Sequence, residues 1–210
     1  MKRKILSHSK LLKHYGPAHY WRFKCYVELV DKEIARSDKV LDIGCGDGNL
    51  LANLRQGRKY GVDINKNYLK VAKMKNPNAN FREAEAEKLP FKNETFDWVF
   101  CTEVIEHLKR PQNCLAEAKR VLRKGGKFVV STYNHQNFFN LITTKAFSKK
   151  PRFPGIHMRE YNWRSFTKLI SSYFKVIERN QAGSSSLFDL FLRATKLPIG
   201  DFMIILARKS

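Results

Sequence analysis

Glu103, Glu106 and His107 stand at i, i+3 and i+4 behind the β-rich run Trp98–Cys101, so on a helical turn all three would point to one side. Two carboxylates and an imidazole gathered in that way make a chemical site or an ion-pair cluster. As a chemical site they have two uses. A divalent ion held by mixed oxygen and nitrogen ligands would orient a vicinal diol or catechol and lower its hydroxyl pKa. Without an ion, His107 would serve as general base with Glu106 beside it. In the third reading the carboxylates pair with neighbouring Lys or Arg and His107 simply lines a pocket. A further histidine, His157, lies well downstream in GIHMREYNW.

The second constellation is Val40-Leu41-Asp42-Ile43-Gly44-Cys45-Gly46-Asp47-Gly48, an apolar strand running into a turn with three glycines that opens a helix. Glycines let the backbone turn sharply and let a ligand lie against it without a Cβ in the way. The dinucleotide fingerprint requires G-x-G-x-x-G, whereas this chain has G-x-G-x-G with Asn49 at the third glycine's place. Asp42, just below the turn, would repel a pyrophosphate and attract an ammonium. Asp63 closes the next strand at a distance suited to accept from both hydroxyls of a ribose. A ligand with a ribose, an amino group and no pyrophosphate is implied, and S-adenosylmethionine meets that description. Cys45 supplies small apolar bulk in the turn, and no base stands near it in the motif to make it a nucleophile.

Short β-rich runs alternating with helical stretches must position these residues, which is the pattern of a parallel sheet wrapped by crossover helices. Strands are expected at Lys39–Ile43, Tyr60–Asp63, Ala79–Ala84, Trp98–Cys101, Lys127–Thr132, Lys175–Arg179 and Met203–Ala207, and helices near Asn49–Gln56, Asn65–Met74, Pro111–Leu122 and Trp163–Tyr173. Pro111 suits a first helical turn, and Gly125 and Gly126 are expected to end that helix. Tyr15–Ala35 reads as a helix ahead of the sheet, carrying Tyr20, Trp21, Phe23 and Tyr26 as a lid or as core. One domain is expected over 1–210, with an N-terminal helical cap at 1–37. Two insertions on the substrate side, 134–161 and 182–201, are rich in Phe and Leu mixed with Lys and Arg.

In this order the motifs resemble the class I S-adenosylmethionine-dependent methyltransferases, of the type 11, 12 and 23 kind. VLDIGCGDG is similar to their first motif, YGVDIN to their ribose-binding strand end, AEAEKLPF (Ala84 to Phe91) to their adenine loop, and FDWVFCTEVIEHL and RVLRKGGKFVVST to their fourth- and fifth-strand motifs. The likeness covers roughly residues 39 to 180. It implies a Rossmann-like α/β fold: a doubly wound, seven-stranded, mostly parallel sheet with the last strand antiparallel. It also implies that Asp42, Gly44, Cys45 and Gly46 hold the methionine end of the cofactor, Asp63 and Ile64 the ribose side, and Cys101 a further contact. Ala86 would meet the adenine through its backbone ahead of the Glu85 side chain, since Glu85 stands where the family has Asp. The EVIEH turn with a later histidine resembles the ubiquinone-pathway O-methyltransferases and the small-RNA 2′-O-methyltransferases. In those branches the group is associated with a divalent metal, which would make Glu103, Glu106, His107 and His157 ligands of Mg or Mn.

Composition bounds the rest. The 210 residues, 43% apolar and 12% aromatic, suffice for one core, which excludes disorder for the bulk of the chain. Forty Lys and Arg against 19 Asp and Glu give a net charge of +21, spread along the chain, so RNA or an anionic membrane surface joins a small-molecule acceptor among the expected partners. RNA is weakened by the lack of a known RNA-binding module or of an Asn-Pro-Pro-Tyr-like motif, the fourth-strand motif reading CTEV. No obligate protein partner is implied. The acceptor expected is small, apolar or lipid-like and methylated on oxygen, with metal-assisted 2′-O methylation of RNA, or a pocket-keeping binding protein without activity, as the alternatives. Cys25, Cys45, Cys101 and Cys114 show no CxxC spacing, as suits a reducing compartment. No run reaches the roughly 18 apolar residues of a membrane span, so the expected place is the cytoplasm, with peripheral membrane contact open.

Overall fold

Val40, Trp98, Phe100 and Val129 alternate along their strands with Leu41, Val99, Cys101 and Val130, and all are buried. A sheet apolar on both faces needs a helical layer on each. The computed structural model describes residues 26–136, 158–182 and 201–210. Its strands are β1 (Lys39–Ile43), β2 (Arg58–Asp63), β3 (Asn80–Glu83), β4 (Phe96–Thr102), β5 (Leu122–Tyr133), β6 (Lys175–Ala182) and β7 (Phe202–Arg208), in the order β3-β2-β1-β4-β5-β7-β6. β1 to β5 are parallel, and β7 runs antiparallel to both β5 and β6. This is the doubly wound methyltransferase sheet that the motifs imply.

The helices are α1 (residues 26–30), α2 (Asn49–Asn53), α3 (Lys66–Lys75), α4 (Pro111–Val121) and α5 (Trp163–Ser171). Tyr26, Val30, Leu50, Leu69 and Ala72 cover one face of the sheet, and Leu115, Ala118, Phe166 and Ile170 the other. From β1 the order runs outward through β2 on one side and through β4 on the other, and such a switch opens a crevice at the carboxyl ends of the strands. Among the described residues no helix is long and apolar enough to cross a membrane.

Several expected helix ends move. α2 stops at Asn53, short of Gln56, because the buried Lys59 Nζ donates to the carbonyls of Leu51 and Leu54 and closes it. α4 ends at Val121 with Leu122 already extended, four residues before the glycines. Gly125, at φ +74°, instead kinks the entry to β5, where its N–H donates to the Lys209 carbonyl at 3.0 Å. In the Tyr15–Ala35 stretch only residues 26–30 are helical among those described, and Tyr20, Trp21 and Phe23 lie outside the described residues. So do 137–157 and 183–200, the greater part of both insertions.

Candidate active site

The turn after β1 is wound left-handed at Gly44 (φ +69°), Gly46 (+51°) and Gly48 (+77°). Two neighbours fasten it. The Cys45 N–H donates to the Val62 carbonyl at 2.9 Å, and the Gly46 N–H donates to Asp63 Oδ2 at 2.8 Å. The other oxygen of Asp63 accepts from the Asn65 N–H at 2.8 Å. Lys75 Nζ then ties Asp47 Oδ2 (2.5 Å) to Asn49 Oδ1 (2.8 Å), so Asn49, buried where a dinucleotide fold has glycine, braces the turn.

Asp42 is 2% exposed, and its Oδ1 has no hydrogen-bond partner. Burial, and then the Asp63 carboxylate, push its pKa well above the ordinary range. An orphaned buried carboxylate at the floor of a cavity is a receptor for a cation, and the ammonium of an amino acid fits it. Burial and these two carboxylates also push the Cys45 thiol upward, which keeps it protonated and removes it as a nucleophile.

A cavity of about 1000 Å³ spreads over this turn. It is lined by Asp42, Gly44, Cys45, Gly46, Asp63, Ile64, Glu85 and Ala86 at one end. At the other stand Tyr26, Thr102, Glu103, Val104, His107, Leu108 and Met158. Glu103 leaves β4 in the left-handed region (φ +57°), a costly backbone for a side-chain-bearing residue and one that collects at functional sites. Its Oε1 accepts from the Ser131 hydroxyl at 2.8 Å and the Tyr26 hydroxyl at 3.4 Å, and those two hydroxyls lie 2.6 Å apart. Tyr26, Ser131 and Met158 lie in the N-terminal stretch, the fifth-strand motif and the GIHMREYNW run, but nothing in those patterns marks them individually as site residues. Lys109 and Arg110 also reach the cavity rim.

Three of the expected assignments are corrected. Cys101 is fully buried on the opposite face of β4, its Sγ 3.8 Å from that of Cys114 on α4, and does not line the cavity. Glu106 does not share a side with Glu103 and His107, because the turn is a short 3-10 turn, Ile105–His107, with Glu103 outside it in left-handed backbone. Its carboxylate is 1% exposed and packed behind the cavity wall. The metal set therefore does not fit. Among the described residues no three His, Cys, Asp or Glu gather as a metal site, and His157 lies outside them. His135, on the surface, pairs with Glu160 at 3.2 Å.

Burial and the nearby Glu103 push the Glu106 carboxyl up to about 8 from an ordinary 4.5. The folded protein thus holds this proton more tightly than the unfolded chain does. Stability should fall as pH rises from about 4.5 to about 8 and level off above, with a slope of about 1.4 kcal/mol per pH unit from this group. Glu106→Gln should flatten that slope in urea unfolding measured across the window. An unchanged slope would show that the carboxylate is not its source.

The chain matches the family model of the methyltransferase domain over residues 41–130. It is 26% identical over 193 residues to an uncharacterized protein of Methanocaldococcus jannaschii, covering 89% of each. It is 31% identical over 125 residues to a ubiquinone/menaquinone biosynthesis C-methyltransferase of Campylobacter jejuni, covering 55% of this chain and 53% of that one. The chain thus spans about half the length of that named enzyme. A possible histamine N-methyltransferase of Thermotoga maritima shares the fold at a TM-score of 0.70 with 21% identity, over 97% of this chain and 95% of that one.

Sheet order and glycine turn are those of the class I S-adenosylmethionine-dependent methyltransferase fold, and residues 41–130 match the methyltransferase domain. Within that class the chain is similar to enzymes that bear different acceptors in their names.

Proposed function

We propose that the chain methylates a hydroxyl of a small acceptor with an apolar body, seated against Tyr26, Val104, Leu108 and Met158. The observation that carries this is the continuity of the cavity from Asp63 to the Glu103–His107 end. Asp42 would take the cofactor's ammonium, Asp63 its ribose hydroxyls, and Ile64, Glu85 and Ala86 would border its adenine. S-adenosylmethionine bound there supplies an electrophilic sulfonium methyl.

The chain's own task is alignment and proton removal. Holding the acceptor oxygen in line provides most of the rate. His107, on the cavity wall, accepts the hydroxyl proton. Glu103, held by the Ser131 and Tyr26 hydroxyls, stabilises the positive charge that develops nearby. Tyr26→Phe removes one of those two donors and should lower kcat several-fold while leaving the affinity for S-adenosylhomocysteine unchanged. Equal loss in both quantities would instead mark Tyr26 as a packing residue of the cofactor end.

Calorimetry with S-adenosylhomocysteine, followed by transfer of labelled methyl to a panel of phenols, catechols, amines and activated carbon acids, tests the proposal. Transfer to a hydroxyl is expected, lost in His107→Ala with cofactor affinity kept. No uptake of S-adenosylhomocysteine at millimolar concentration, or transfer confined to amines or carbon acids, overturns it.

A further inference from the structure

Ile64, Tyr68, Val71 and Met74 are 69%, 53%, 40% and 82% exposed. At steps of four, three and three residues they follow one side of α3 and of the residue leading into it. Leu69 and Ala72, on the other side of the same helix, are buried against the sheet. An amphipathic helix ordinarily turns its apolar residues inward. α3 has a second, outward apolar ridge, and contiguous exposed apolar surface marks a contact site.

Lys66, Lys70 and Lys73 line one flank of the ridge. Lys66 pairs with Glu83 at 3.3 Å, whereas Lys70 and Lys73 enter no ion pair among the described residues. The ridge also reaches the cavity, since Ile64 and Tyr68 belong to both.

We propose that this face of α3 docks on a membrane surface bearing anionic lipid. Tyr68, Val71 and Met74 would sit at the headgroup boundary, and Lys70 and Lys73 would meet the lipid charges. Apolar anchors flanked by ammonium groups are the chemistry of an interfacial helix, and a chain of net charge +21 is drawn to such a surface. Single-stranded RNA fits the ridge less well, because bases stack on aromatic faces and the ridge offers one tyrosine among three aliphatic side chains. Docking would present the cavity mouth to a membrane-dissolved acceptor. That consequence rests on the methyl-transfer proposal; the docking does not.

Cosedimentation of the full chain with vesicles of phosphatidylcholine alone, and of phosphatidylcholine mixed with phosphatidylglycerol, tests the docking. Retention on the mixed vesicles only is expected, with partitioning reduced about tenfold or more by V71S/M74S and reduced likewise by K70E/K73E. None of these four side chains lines the cavity, so S-adenosylhomocysteine affinity and helix content should stay unchanged in both variants. Equal retention on both vesicle types, or retention indifferent to V71S/M74S, overturns the proposal. So does a contact with RNA or a protein that V71S/M74S abolishes while vesicle retention persists. Vesicle retention with no uptake of S-adenosylhomocysteine would support docking and overturn methyl transfer.

Discussion

Gly44→Ala should destabilise the domain by about 2–5 kcal/mol and abolish measurable uptake of S-adenosylhomocysteine. Two costs add. Gly44 sits at φ +69°, in the left-handed region where an L side chain costs about 1–2 kcal/mol. A Cβ there would also lie 2.3 Å from Val104 Cγ2, a distance that no side chain tolerates. Either the turn after β1 or the turn after β4 has to move, and overpacking of this kind costs about 1–3 kcal/mol. Movement of the first spoils the cofactor end of the cavity. Movement of the second displaces Glu103 and His107. Adding Val104→Ala removes the offending methyl and should restore the packing part of the loss but not the backbone part. Urea unfolding reads the stability and calorimetry the binding. Undiminished S-adenosylhomocysteine affinity in Gly44→Ala would show that the close approach of the two turns is dispensable.

Asp63→Ala should weaken S-adenosylhomocysteine binding by about a hundredfold or more. In the structure each of its oxygens already accepts a backbone N–H, from Gly46 and from Asn65. Hydrogen bonds to a charged group contribute about 1.5–3 kcal/mol each, so loss of two ribose hydroxyls alone reaches that factor. Freed of its carboxylate, the Gly46 N–H also loses the bond that holds the turn in shape. One effect opposes these: Asp42 is easier to ionise without Asp63 beside it, which favours the ammonium end. The two ends are separable with adenosine, which has a ribose and no amino-acid tail. Asp63→Ala should weaken adenosine as strongly as S-adenosylhomocysteine, whereas Asp42→Asn should leave adenosine binding intact and weaken only the full nucleoside. Equal losses in both variants would refute the division of labour between the two carboxylates.

The cofactor end could be read from the sequence because its parts are contiguous. Strand, glycine turn and helix follow one another from Val40 to Asn53, and Asp63 closes the very next strand. The acceptor end is assembled across the fold. Tyr26 and Glu103 are 77 positions apart, and Ser131 and Glu103 are 28 apart, so no local pattern joins them. Cys101 was misplaced for a different reason: β4 is apolar on both faces, and alternation alone does not say which face meets the cavity. The Glu103, Glu106 and His107 spacing presumes regular helix, and the left-handed step at Glu103 breaks that geometry. Helix ends shifted where a distant group acted, as Lys59 does on α2.

The fastening of residues 158–161 carries a last consequence. The Met158 and Arg159 N–H groups both donate to the Glu106 carbonyl, at 2.9 and 3.1 Å, and the His135 N–H donates to the Tyr161 carbonyl at 2.9 Å. Asn134 bridges to Tyr161 as well. The two ends of the intervening segment are therefore stapled side by side, independently of what lies between them. Loop-closure entropy grows only slowly with length once ends are held. Segments of other lengths and compositions can therefore be spliced between Gln136 and Met158 with little penalty to the sheet.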